Sequence, residues 1–253
     1  MDLGLTDRVF VVTAASSGLG YATAEQLVAE GAKVLLVGRR GELLAERRQS
    51  LGADKADVLV ADLSDADVPR QACEQALQTF GRLDGAMVSV GGPPAGSALD
   101  NTDEQWMSAF NSVFLPAVRT IRAIAELGTA EDAAIGLVLS TSAKQPMPGL
   151  TISNGLRPGL AMLIKQYGTE LGPRGTRVFG LLPGKINTDR MNSLLAGNPD
   201  PEKAMADAID EIPLGRLGRP EEFGRIAAFG LSPAASYLNG CVIPVDGGLL
   251  RAL

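Results

Sequence analysis

Short, mostly apolar runs recur along the chain at residues 9–13, 33–37, 57–61, 84–90, 134–139, 176–182 and 241–245. Their apolar character is near-continuous rather than alternating, which predicts strands covered on both faces, as in a parallel sheet. Between them, mixed polar and apolar segments predict helices at about 18–31, 42–51, 67–80, 103–127, 153–171 and 220–231. Ser64-Asp65 supplies a start signal for the third of these, and Pro116 is expected to mark a kink or boundary inside the fourth. A helical insertion over about 190–210 is interrupted by Gly197-Asn198-Pro199-Asp200-Pro201. Strands that alternate with helices predict a three-layer, doubly wound parallel α/β sheet. No repeat, linker or low-complexity stretch divides the chain, so a single domain over residues 1–253 is expected.

The first apolar run leads into Thr13-Ala14-Ala15-Ser16-Ser17-Gly18-Leu19-Gly20 and then a helix. The start of a helix carries unpaired N–H groups and about half a positive charge, so a pyrophosphate suits it. Together with the second strand this makes a βαβ unit of dinucleotide-binding length. Tight packing alone also explains glycines in such a turn, so the loop by itself does not establish a ligand.

Composition narrows the choice. A formal net charge of −6 argues against a nucleic-acid partner, because phosphate backbones select basic surfaces. No apolar run is long enough for a membrane span, and the N-terminus lacks a signal-peptide pattern. Two cysteines, Cys73 and Cys241, cannot build a disulfide framework, and a cytoplasmic location is expected. The chain contains no histidine, so proton transfer must use other groups, and no metal site is expected.

Several motifs in order make the chain resemble the short-chain dehydrogenase/reductases over almost its whole length. Thr13 to Gly20 matches that family's Thr-Gly-x-x-x-Gly-x-Gly, except that Ala14 stands for the first glycine. Val88-Ser89-Val90-Gly91 is a degraded Asn-Asn-Ala-Gly, and Pro183-Gly184-Lys185-Ile186-Asn187-Thr188 is an intact Pro-Gly-x-x-x-Thr. Arg216-Leu217-Gly218-Arg219-Pro220-Glu221-Glu222 and Val245-Asp246-Gly247-Gly248 are also typical. The resemblance implies a Rossmann fold and a nicotinamide cofactor. It places Thr13, Ser16, Ser17, Gly18, Leu19 and Gly20 around the pyrophosphate, Asp62 and Leu63 at the adenine, and Gly91 along the cofactor. Pro183, Gly184, Ile186 and Thr188 fall at the nicotinamide end. The second strand ends in Gly38-Arg39-Arg40 instead of an acidic residue, and Arg39 and Arg40 favour the 2′-phosphate of NADP(H) over NAD(H).

The catalytic corner departs from the pattern. The family's Asn and Ser positions fall on Asn111 and Ser140, but its Tyr and Lys positions hold Ser153 and Arg157. Tyr21, Tyr167 and Tyr237 lie on other elements. Serine is far less acidic than a phenol, and an arginine effectively never releases its proton. Lys144 and Lys185 are the nearby replacement candidates, each with solvation as the simpler reading. The resemblance then implies an NADP(H)-dependent oxidoreductase acting on a small-molecule carbonyl or alcohol with an altered proton relay. The alternatives are a nucleotide-binding protein without turnover, serving as a sensor or partner subunit, and non-redox chemistry on the same scaffold. The insertion over 187–210 is expected to form a substrate lid, and a homotetramer or homodimer is expected.

Overall fold

The computed structural model describes residues 1–252. Seven strands form one sheet: β1 (Val9–Thr13), β2 (Lys33–Gly38), β3 (Ala56–Val60), β4 (Gly85–Val88), β5 (Ala134–Val138), β6 (Arg177–Pro183) and β7 (Cys241–Val245). Their order is β3-β2-β1-β4-β5-β6-β7, and every neighbouring pair is parallel. The apolar runs located all of them, with ends displaced by two residues at most.

The helices are α1 (Gly18–Ala29), α2 (Gly41–Leu51), α3 (Val68–Phe80), α4 (Asp103–Ala109), α5 (Leu115–Leu127), α6 (Thr151–Leu171), α7 (Asp189–Ala196), α8 (Pro201–Asp210) and α9 (Pro220–Leu231). The helical region expected over 103–127 is divided. Thr102 and Gln105 form a capping box at the start of α4, and a π-helical turn, Phe110–Phe114, joins α4 to α5. Pro116 lies at the start of α5 directly after the π turn, at the boundary expected for it. The insertion splits into α7 and α8, and Asp200 caps α8 through Lys203 N.

Side chains alternate across β1 and divide the core in two. Val9 and Val11 face a layer with Ala72 and Ala76 of α3, Ile121 and Ile124 of α5 and Ile164 of α6. Phe10 and Val12 face a layer with Ala24 and Leu27 of α1 and with Phe223, Ala227 and Leu231 of α9. Fully burying each large apolar side chain contributes roughly 1.5–3 kcal/mol, so the sheet is anchored from both sides. Helices α1 and α9 touch through small residues: a Cβ on Gly224 would lie 2.4 Å from the Ala22 carbonyl oxygen.

The site follows from the topology. The strand order reverses between β1 and β4, and in open α/β sheets ligands sit beyond the carboxyl ends of strands at such a switch point. The glycine loop, Arg39 and Arg40, Asp62, Gly91, Ser140 and the 183–188 segment all follow the carboxyl ends of strands, and α6 brings Ser153 and Arg157 to the same edge.

Candidate active site

A cavity of about 680 Å³ opens at that edge, lined from end to end by the loops after β1 to β6 together with α6 and α7. At its floor, Thr13 is enclosed and does not line the cavity. Its hydroxyl donates to the Ser89 carbonyl oxygen and accepts from Ser89 N at 2.9 Å, tying the exit of β1 to the exit of β4. Thr13 therefore braces the glycine loop against the exit of β4. Ala14 follows in the left-handed region (φ 48°), the conformation glycine supplies at no steric cost. Gly20 is required by packing, since a Cβ there would lie 2.7 Å from the Ala14 carbonyl oxygen.

Helix α1 begins with no side-chain cap and no acidic residue in its first turn. Its first N–H groups are thus left to an anion in the cavity. Gly91 carries a separate sign of a guest: a Cβ there would meet nothing within 4 Å, so packing does not demand glycine and open space lies above it. The loop and cavity therefore fit the pyrophosphate and adjoining parts of a dinucleotide.

Two arginines flank this end. Arg40 donates from Nε and Nη2 to Ser16 Oγ at 3.0 and 2.8 Å, and Nη2 also reaches Ser17 Oγ. Arg47, stacked 4.4 Å from the Tyr21 ring centroid, donates to the Ser16 carbonyl oxygen at 3.3 Å. Arg39 extends into solvent with one long contact, 3.5 Å, to Asp62. Asp62 accepts from Ser64 N at 2.9 Å and Ser64 Oγ at 2.8 Å. The Ser64 backbone N–H is the main reason its carboxyl is held below the usual range, with the hydroxyl and Arg39 adding to it. Leu63, next to it, is buried in the core.

At the other end, Gly184 approaches the closing segment so tightly that a Cβ would lie 2.6 Å from Asp246 Cβ. Gly184 N donates to the Val245 carbonyl oxygen at 3.0 Å, and Asn187 N to the Gly218 carbonyl oxygen at 2.8 Å, which fixes the 183–188 loop. Pro183, Ile186 and Thr188 line the cavity, and Thr188 also caps α7 through Met191 N. Lys185 faces the cavity as well, but its ammonium is paired with Glu211 at 2.8 Å.

The catalytic corner is built from serines and arginines. Ser140 caps a short 3₁₀ turn, accepting from Ser142 N at 3.2 Å. Ser142 Oγ and Ser153 Oγ, both buried, are 2.9 Å apart. One turn along α6, Arg157 is only 5% exposed; its Nη1 donates to the Val138 carbonyl oxygen at 2.7 Å, and its Nε is buried without a partner. Burial, with a smaller contribution from the like charge of Arg190, pulls the Arg157 guanidinium down to about 10, still charged near neutral pH.

Two expected positions fall elsewhere. Asn111 lies inside the π-helical turn, and its neighbour Ser112 lines the cavity in its place. A π turn adds a residue to the helical repeat and so re-aims the side chains around it. Lys144 follows the 3₁₀ turn, exposed and outside the cavity lining, because that turn curls the chain away after Thr141 and Ser142. Conversely, Ser142, Met147 and Arg190 were missed. Ser142 stands two residues beyond Ser140, and Arg190 two beyond Thr188 in the first turn of α7, so each was within reach of a motif already read. Among the described residues no cluster of His, Cys, Asp and Glu could hold a metal, and no helix is long and apolar enough to cross a membrane.

Comparison with known proteins gives the same picture over the whole chain. Residues 13–250 match the family model described as enoyl-(acyl carrier protein) reductase. Levodione reductase of Leifsonia aquatica is 32% identical over 96% of this chain and 94% of its own length. The crystal structure of L-sorbose reductase from Gluconobacter frateurii, complexed with NADPH and L-sorbose, is 29% identical and superposes with a TM-score of 0.93, covering 100% of both chains. An NADPH-bound short-chain oxidoreductase from Pseudomonas aeruginosa PAO1, described as containing an atypical catalytic center, is 32% identical with a TM-score of 0.89, over 98% of this chain and 100% of that one. A glycine loop, a sheet and a closing segment that agree from end to end with these proteins leave one assignment: the chain belongs to the short-chain dehydrogenase/reductase family.

Proposed function

We infer that the protein is an NADP(H)-dependent oxidoreductase that interconverts a carbonyl and its alcohol without a tyrosine proton donor. The observation that carries the reading is the pairing of a complete dinucleotide cradle with a serine–arginine corner in one cavity. When bound, NADPH supplies a hydride to a carbonyl carbon, and NADP⁺ accepts one from an alcohol. The cradle residues are the α1 N-terminus with Gly18, Leu19 and Gly20, Asp62 and Leu63, Gly91, and Pro183, Gly184, Ile186 and Thr188. Arg40, already oriented by Ser16 and Ser17, and Arg39 beside it supply the charge that prefers a 2′-phosphate. NADPH is named for two structural neighbours, which supports the same preference.

The corner's own residues divide the remaining work. Ser140 and Ser153 offer hydroxyls to the carbonyl oxygen; in the reducing direction Ser153 would give its proton to that oxygen and be reprotonated through Ser142, with water as the net proton source. Arg157 contributes a fixed positive field that stabilises developing negative charge on that oxygen and does not donate a proton. Helices α7 and α8 would cover the cavity as a lid. The two free cysteines, Cys73 and Cys241, are consistent with a reducing, cytoplasmic setting. The exposed Met107 and Met162, on α4 and α6, support self-association into a homodimer or homotetramer.

Calorimetry with NADPH and NADH, followed by single-turnover NADPH oxidation across a carbonyl panel, tests the reading. Tighter NADPH binding with measurable oxidation supports it. Binding without oxidation of any carbonyl would move the protein to the nucleotide-binding alternative, and light scattering giving one chain's mass would remove the oligomer.

A further inference from the structure

We propose that the substrate is a small oxo acid, and that Arg157 and Arg190 receive its carboxylate. This rests on the oxidoreductase reading of the same cavity. The two guanidiniums come from different elements, α6 and α7, and both line the catalytic end of the cavity. Among the described residues neither forms an ion pair, although the chain as a whole is acidic. Arg157 makes a single hydrogen bond, to the Val138 carbonyl oxygen, and holds its Nε buried and unpartnered. Arg190 lies against the backbone after β4, with Nη1 3.4 Å from the Gly92 carbonyl oxygen and Nη2 3.2 Å from that of Pro93. The fit is close enough that a Cβ on Gly92 would lie 2.1 Å from Arg190 Cζ, so glycine there makes room for the guanidinium.

For Arg157, buried with its Nε unpartnered, the missing counter-charge is costly, whereas Arg190 is exposed at the cavity mouth and free to turn a guanidinium edge to a ligand. Burial lowers the proton affinity of Arg157, which agrees with its incomplete set of partners. The other charged groups lining the cavity do not complete it. Lys185 is committed to Glu211, Asp62 contacts Arg39 at the opposite end, and Asp189 makes no ion pair with either arginine. The uncapped α1 N-terminus and Arg39 and Arg40 would take the cofactor's phosphates. A planar carboxylate matches the forked donors of a guanidinium.

The test uses the full protein saturated with NADP⁺, so that no turnover occurs, and titrates pyruvate, acetoacetate and levulinate against their methyl esters by calorimetry at pH 7.5. At least one acid is expected to bind about tenfold or more tightly than its ester. Arg190→Ala and Arg157→Met should each remove that preference while changing NADP⁺ affinity less than about twofold, and Arg190→Lys should restore part of it. Equal binding of acid and ester, no binding of any acid, or a preference that survives both substitutions would overturn the proposal alone. Failure of the parent protein to bind NADP⁺ would overturn the oxidoreductase reading and this inference with it.

Discussion

The two ends of the cavity are built on different principles. The cofactor end relies on backbone: uncapped N–H groups of α1, a left-handed Ala14, and glycines whose Cβ atoms have no room or face open space. The catalytic end relies on a few side chains, with Ser142, Ser153 and Arg157 sharing one buried corner. Backbone recognition survives most substitutions outside its glycines, because the N–H groups remain in place. Side-chain chemistry changes with one residue. A protein can therefore keep a backbone-built cofactor site while its proton-handling group is replaced, and the function proposed above assigns both conditions to this cavity.

The comparison is tested most strongly at the catalytic end. Ser153→Tyr combined with Arg157→Lys should raise the single-turnover rate of NADPH oxidation with a neutral ketone by about a hundredfold, since a positioned acid–base group is typically worth about 10²- to 10⁴-fold. NADPH affinity should move by much less. An unchanged rate would mean that the serine–arginine corner already delivers the proton efficiently. The cofactor end comes next. Arg40→Ala should weaken NADPH binding about ten- to a hundredfold in calorimetry and leave NADH nearly unchanged, the value of one charge-assisted contact. Equal losses for both nucleotides would mean that Arg40 only braces Ser16 and Ser17.

Stability separates the two ends by smaller amounts. Arg157→Met removes an unpaired buried charge and should stabilise the protein by about 1–2 kcal/mol, a rise of a few degrees in Tm. The sign follows from proton linkage. The folded state holds Arg157 at about 10, below the ordinary guanidinium value, so burial penalises the charged form at every pH below about 10. The penalty is relieved only as pH rises through that value. The gain from Arg157→Met should therefore be constant between pH 6 and 9, and a gain that grew or vanished inside that window would assign it to another cause. The smallest effect is expected at Ala14→Gly. Relief of the left-handed alanine should slightly exceed the added chain entropy, giving about 0.5 kcal/mol of stabilisation in thermal denaturation, with NADPH binding retained.

Much of this was legible from the sequence. Continuous apolar runs located the strands, because a strand buried on both faces leaves no alternative to apolar residues. The interruption at 197–201 divided α7 from α8, since Pro201 can open a helix but not sit inside one. Motif order named the segments that line one cavity, since a loop of glycines at fixed spacing is readable in neighbouring residues. The substitution of Ser153 and Arg157 was also visible, as it required only knowing which positions to read.

The tertiary structure decided which side chains meet. Local sequence gives no angle for a π turn, so only the folded helix shows Ser112, and not Asn111, lining the cavity. Nor does it show Thr13 turned inward to Ser89, Lys144 in solvent, or Ser142 against Ser153, eleven residues apart in the chain. Arg157 and Arg190 reach one cavity from separate helices, and their lack of carboxylate partners is a property of the packed molecule. Strand and loop identities are written in neighbouring residues because backbone propensity and burial act locally. The charge balance of a cavity is set by groups distant in sequence, and only packing brings them together.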